Sequence, residues 1–204
     1  MKKEFSFLAI AMTVCTITGC RTPTTNIDTA NDTAGAVAAI DYRDLRKATT
    51  EILNSLFASG RFRKADGSYY VMTIGNIKNN TTQRFDTDTL VAQITEELTN
   101  SGQVLITSAV AATADNRDEM VSGVRSLRSD DEFNQSTIAG KGQLLAPELS
   151  LSGKIDQREI RMDNGDKQIE YYIQLRITDI SSGLQWWQKQ VFFGKRTDAD
   201  TVIW

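Results

Sequence analysis

Ile169-Glu170-Tyr171-Tyr172-Ile173-Gln174-Leu175-Arg176-Ile177 alternates apolar with polar or amphipathic side chains without a break. Successive side chains of a strand point to opposite faces, so this stretch predicts a strand with one face in a core. Just before it, Asp163-Asn164-Gly165-Asp166 is a hairpin turn signal. Earlier still, Leu149, Leu151, Gly153 and Ile155 alternate in the same way. After it, Ser181-Ser182-Gly183 marks a second turn and residues 184–193 a last strand. Three strands joined by tight turns predict an antiparallel meander.

Working back toward the N-terminus, the period changes. Asp41 and Asp44 open a helix whose apolar face is Tyr42, Leu45, Thr49, Ile52, Leu53 and Leu56, with Gly60 as its stop. Residues 69–77 read as a strand with apolar side chains on both faces, as a central strand requires. After a polar loop over 78–83, Asp86 and Thr87 open a second helix with the stripe Leu90, Val91, Ile94 and Leu98, ended at Gly102. A short strand over 104–107 follows. Strand, helix and strand at this spacing predict a right-handed crossover between parallel strands. A third helix is expected within 113–127, with Met120, Val121, Val124 and Leu127 as its inner face and Arg117, Arg125 and Arg128 projecting elsewhere. The run Ser129-Asp130-Asp131-Glu132 breaks it, and Gly140, Gly142 and Pro147 lead into the meander. The predicted fold is α+β: a mixed, largely antiparallel sheet of four or five strands with helices on both faces.

Residues 1–19 combine a short basic start at Lys2-Lys3 with an apolar run from Phe5 to Ile17, too short to span a bilayer permanently and fitting a secretory signal. Ile17-Thr18-Gly19-Cys20 resembles the bacterial lipobox. That resemblance implies lipidation of Cys20 and a stable membrane anchor, since two or three acyl chains hold far better than one. Residues 20–38, rich in Thr, Asn, Asp and Ala, hold too few large apolar groups to fold and read as a tether. Its chain reaches at most about 60 Å extended, and about 20 to 25 Å as a flexible coil. Residues 39–204 form one domain.

Cleavage before Cys20 removes Lys2, Lys3 and Glu4 and leaves 21 basic against 25 acidic residues, a net charge of minus four. This balance speaks against nucleic acid as a partner. Histidine is absent, which removes the commonest general base and transition-metal ligand, and with it histidine-dependent triads. Cys15 falls in the signal, so the mature chain keeps Cys20 alone and forms no internal disulfide. Asp163, Asp166 and the Asp130-Asp131-Glu132 run lack EF-hand spacing, and Gly140-Lys141-Gly142 lacks that of a phosphate loop. No catalytic constellation, cofactor or metal site is expected.

The strand Leu149-Ser150-Leu151-Ser152-Gly153-Lys154-Ile155, the strand Tyr172-Ile173-Gln174-Leu175-Arg176-Ile177-Thr178-Asp179 and the turn Ser182-Gly183-Leu184-Gln185-Trp186-Trp187-Gln188 together resemble the penicillin-binding-protein activator LpoB family. The likeness extends over about residues 40–195. Domains of the TolB N-terminal and CsgG type share the strand, Asp-x-x-x-Gly turn and strand, and the lipobox with one small domain favours the activator. The resemblance implies a non-enzymatic outer-membrane lipoprotein that binds a class A penicillin-binding protein and stimulates peptidoglycan synthesis. Arg21, in place of Asp after the lipidated Cys20, agrees with outer-membrane sorting. The better-known members carry long proline-rich tethers, whereas this one is short with Pro23 alone. At that reach, the synthase must extend outward or the periplasm must be narrow. The competing expectation is a periplasmic component of a secretion or surface-structure assembly system.

Trp186 and Trp187 are adjacent on a predicted strand and should point to opposite faces, one under a helix and the other free to anchor a partner, unless both enter a two-sided core. Arg117, Arg125 and Arg128 form one basic cluster and Arg61, Arg63 and Lys64 another; each is either a steering surface for an acidic partner or solvated charge.

Overall fold

The structure, a computed structural model, describes residues 37–201. The signal, Cys20, nearly all of the tether and the Ile203-Trp204 tail lie outside the described residues. The chain runs through α1 (Tyr42–Ala58), β1 (Val71–Asn80), α2 (Asp88–Asn100), β2 (Leu105–Ile106), α3 (Glu119–Ser126), β3 (Leu149–Arg161), β4 (Lys167–Asp179) and β5 (Gln185–Thr197). One mixed sheet holds all five strands in the order β2-β1-β3-β4-β5. The α+β fold is as expected, and so are the parallel β1 and β2 joined through α2 and the antiparallel β3-β4-β5 meander. The parallel pairing of β1 with β3, which joins the two halves, had no local signal.

In β4 the side chains of Ile169, Tyr171, Ile173, Leu175 and Ile177 are all buried, and the register sets Leu149, Leu151 and Ile155 of β3 beside them. This apolar floor meets α1 and α2. The first helix contributes Ile52, Leu53 and Leu56, and the second Leu90, Val91, Ile94 and Leu98, all buried. Each such side chain stabilises by about 1.5 to 3 kcal/mol on leaving water. A capping box starts α1: the Asp41 carboxylate accepts from the Asp44 N–H, and the Asp44 carboxylate from the Asp41 N–H, both at 3.0 Å.

Among the described residues, the opposite face is covered only at one corner. There Val71 and Thr73 of β1 are buried, and the Thr73 hydroxyl donates to the Val110 carbonyl at 2.5 Å. Val121 of α3 borders the same corner. The third helix is shorter than expected, because Asp118 caps it and accepts from the Met120 N–H. Its supposed inner face is a correction: Met120 and Val124 are exposed, Val121 and Leu127 are half-buried, and no residue of the helix is buried. Apolar residues recur at helical spacing there, but among the described residues no element lies over them to complete a core.

Gly183 and Gly153 are among the glycines that the geometry requires. Gly183 adopts φ +71° in the β4-β5 turn, where Asp179 accepts from the Ser182 N–H and from the Ser181 hydroxyl. Gly153 sits where a Cβ would lie 2.6 Å from both the Gln174 carbonyl oxygen and Leu175 Cδ2. Gly153→Ala should therefore lower stability by about 1 to 3 kcal/mol, read as a lower urea midpoint with unchanged slope.

Candidate functional site

A cluster of rings and cations closes the end of the sheet where β5 begins. Ile177 pairs with Trp187 and Thr178 with Gln185, so Trp186 is an extra residue in β5, a β-bulge. The bulge overturns strict alternation: both tryptophans are half-buried and both pack against the same core rather than pointing apart. Trp186 rests against Phe62 at 5.5 Å and edge-on to Tyr70 at 5.7 Å between ring centroids. The Arg61 guanidinium donates to the Trp186 carbonyl at 2.9 Å and lies 5.9 Å above its ring. Lys64 stands 4.8 Å over the Tyr70 ring and binds both oxygens of Glu148, at 2.8 and 2.7 Å. Arg61 and Lys64 are thus engaged in packing, and Trp186 and Trp187 have much of their surface committed to the core.

The other predicted cluster is not brought to these tryptophans. The arginines follow β2, at one edge of the sheet, whereas the tryptophans lie on β5, at the other. Arg128 donates to the Ala139 carbonyl at 2.9 and 2.7 Å and to Gly140 at 3.0 Å, and Arg125 reaches the Gly140 carbonyl at 3.3 Å. Both brace a loop. Arg117 makes an exposed ion pair with Glu119 at 3.6 Å, of small energetic worth.

A third constellation escaped the sequence reading. On the uncovered face the register sets Lys78 beside Lys154 and Lys154 beside Gln174; one row along, Ser152 lies beside Arg176. Lys78, Lys154, Arg176, Gln174 and Asn76 line a cleft of about 330 Å³. Lys154 pairs with Asp156 at 2.5 Å, and Asp156 also accepts from the Asn80 amide at 2.8 Å. Those two bonds, Asn80 first and Lys154 second, hold the Asp156 carboxyl below its usual range. In the next row Tyr172 faces Phe192, with ring centroids 6.2 Å apart and Phe192 73% exposed. For Lys154, Gln174 and Arg176 the signal lies in the polar positions of alternating strands; Lys78 falls in what the sequence reads as a loop, whereas β1 runs on to Asn80, and which strands adjoin is not a local property. Among the described residues no three or more His, Cys, Asp or Glu side chains gather to hold a metal, and no helix is long and apolar enough to cross a membrane.

The family model of the peptidoglycan-synthase activator LpoB matches residues 44–193, from the first turn of α1 almost to the end of β5. The chain belongs to the LpoB family. Among solved structures, the LpoB C-terminal domain from Salmonella enterica is 10% identical, with a TM-score of 0.45, over 74% of this chain and 98% of that one. The LpoB C-terminal domain from Escherichia coli is 9% identical, with a TM-score of 0.42, over 72% and 98%. Lipoprotein GNA1162 from Neisseria meningitidis is also similar, at 10% identity and a TM-score of 0.37, over 63% and 84%. No curated protein matches the chain. LpoB-family membership makes this chain one of a family of activators rather than enzymes.

The Lys64 bond, against the opposing effect of burial and with help from the Val71 N–H, holds the Glu148 carboxyl below its ordinary 4.5. A carboxyl lowered on folding contributes stability that is present above the unfolded value and lost as pH falls through the folded one. The melting temperature should therefore drop on acidification below about pH 4.5, and Glu148→Gln should flatten part of that drop, as followed by circular dichroism across pH.

Proposed function

We propose that this chain is an outer-membrane lipoprotein, anchored through Cys20, whose domain binds a class A penicillin-binding protein and raises its rate of glycan-strand synthesis. The observation that carries the reading is the match to the synthase-activator family across nearly the whole folded unit, residues 44–193. The lipobox-like Ile17-Thr18-Gly19-Cys20 supports the anchor. Its partner-binding residues are to be sought on surfaces free of internal duties. By that criterion Arg125 and Arg128, bonded to backbone carbonyls, rank below side chains that face solvent.

Two measurements test this. The full chain in detergent should raise glycan polymerisation from lipid II by at least one of the organism's class A synthases several-fold; no change with any of them would sink the activator reading. Separately, Cys20→Ser should abolish incorporation of labelled palmitate and move the protein out of the membrane fraction. Label retained by the variant would refute the anchor.

A further inference from the structure

The face of the sheet turned away from α1 and α2 carries a charge pattern opposite to that of the whole chain. The sequence has a net charge of -3. Yet Lys78, Lys154 and Arg176 line one cleft, and Asp156 is the acidic side chain paired there. Among the described residues no carboxylate within ion-pair distance answers Lys78 or Arg176. Arg176 instead donates through Nε to the Ser152 hydroxyl at 3.0 Å, which fixes its guanidinium in place without neutralising it. Lys78 and Lys154 stand side by side in register on adjacent strands, and Asp156 answers the charge of Lys154 alone. Nothing in the fold requires this arrangement, since both side chains are exposed. A negative partner would answer the charges of Lys78 and Arg176.

The surroundings indicate what kind of partner. Next to the cations lies the Tyr172-Phe192 pair, with the Phe192 ring largely in water on a rigid strand. Exposed aromatic side chains of this kind are enriched at protein interfaces relative to the rest of the surface. Gln174 and Gln190, paired across β4 and β5, supply amides between the cations and the ring. The dimensions agree. Strands β3, β4 and β5 each have 13 residues. At about 3.3 Å per residue and 4.8 Å between strands, the four-stranded face presents on the order of 600 Å². That approaches the roughly 800 Å² per partner of a standard protein interface and is far more than a small ligand covers.

We infer that this uncovered face of β1, β3, β4 and β5, with Lys78, Lys154 and Arg176 at its centre and Phe192 at its margin, docks an acidic surface of the synthase that the chain activates. The inference rests on the proposed function and adds the face and the charge of its partner. Docking here leaves the α1 and α2 side free and requires no movement of the core.

The test uses the full chain in detergent and each class A synthase of the organism, immobilised, with affinity measured at low and moderate salt. Lys78→Glu with Arg176→Glu should weaken binding at least tenfold, and Phe192→Ala severalfold. Arg46→Glu, on the exposed side of α1, should leave it unchanged. Wild-type affinity should fall as salt rises, because the contacts are between charges. Melting curves identify any variant that fails to fold, and Lys78→Gln with Arg176→Gln then replaces the reversal, with a smaller loss expected. A folded double variant that binds as tightly as wild type overturns the docking face while leaving the activator reading intact. Wild-type chain that binds no synthase overturns both. Loss of binding to purified peptidoglycan fragments, with synthase binding intact, overturns the protein partner in favour of a carboxylate-bearing glycan.

Discussion

The apolar row Ile169, Tyr171, Ile173, Leu175 and Ile177 on one side of β4 is the constraint from which the rest of the molecule follows. With these side chains committed to one face, β3 must offer Leu149, Leu151 and Ile155 to the same side, and α1 and α2 must cover them. A register slip of one residue would carry the entire row into water, so the pairing is fixed strongly. The same commitment determines where the polar positions go. Lys154, Tyr172 and Arg176 occupy the second face because their neighbours occupy the first. The core and the uncovered surface are two consequences of one alternation.

Much of this was legible in the sequence. The meander announces itself through period-two strands and the turns at Asn164-Gly165 and Ser182-Gly183, and the two long helices through apolar stripes with clear stops. What local pattern could not supply was adjacency. That β1 lies beside β3, and so Lys78 beside Lys154, depends on how the helical half docks on the meander. Nor could it supply the bulge. One extra residue at Trp186 turns two rings that strict alternation sends apart toward a single core, and bulges leave little trace in residue type. Met120 and Val124 show the reverse error: a helical stripe predicts a buried face only if something packs on it.

The candidate residues divide along the same line. Trp186 is held by Phe62, Tyr70 and Arg61 and closes the end of the core. Arg128 is held by loop carbonyls. Both residue types are common at interfaces, which is why the sequence singled them out, but in this fold their bonding capacity is largely used internally. Lys78, which the sequence places in a loop, and Phe192, adjacent to Phe193 just as Trp186 is to Trp187, retain theirs.

Where the chain enters the fold, several bonds converge. The Ile40 N–H donates to the Gln83 side chain at 3.0 Å, and Gln83, itself buried, donates to the Tyr171 hydroxyl at 2.7 Å. Lys195 of β5 donates to the Ala39 carbonyl at 2.6 Å and pairs with Asp44 at 2.5 Å. If the chain is anchored through Cys20 and its domain grips a partner, as proposed, the protein is a mechanical link. Tension arriving through the chain before Ala39 would be shared at once between β4 and β5, the two strands bound to each other along their whole length, instead of unwinding α1 from its first turn. The clasp of Gln83 and Lys195 makes the entry point a rivet.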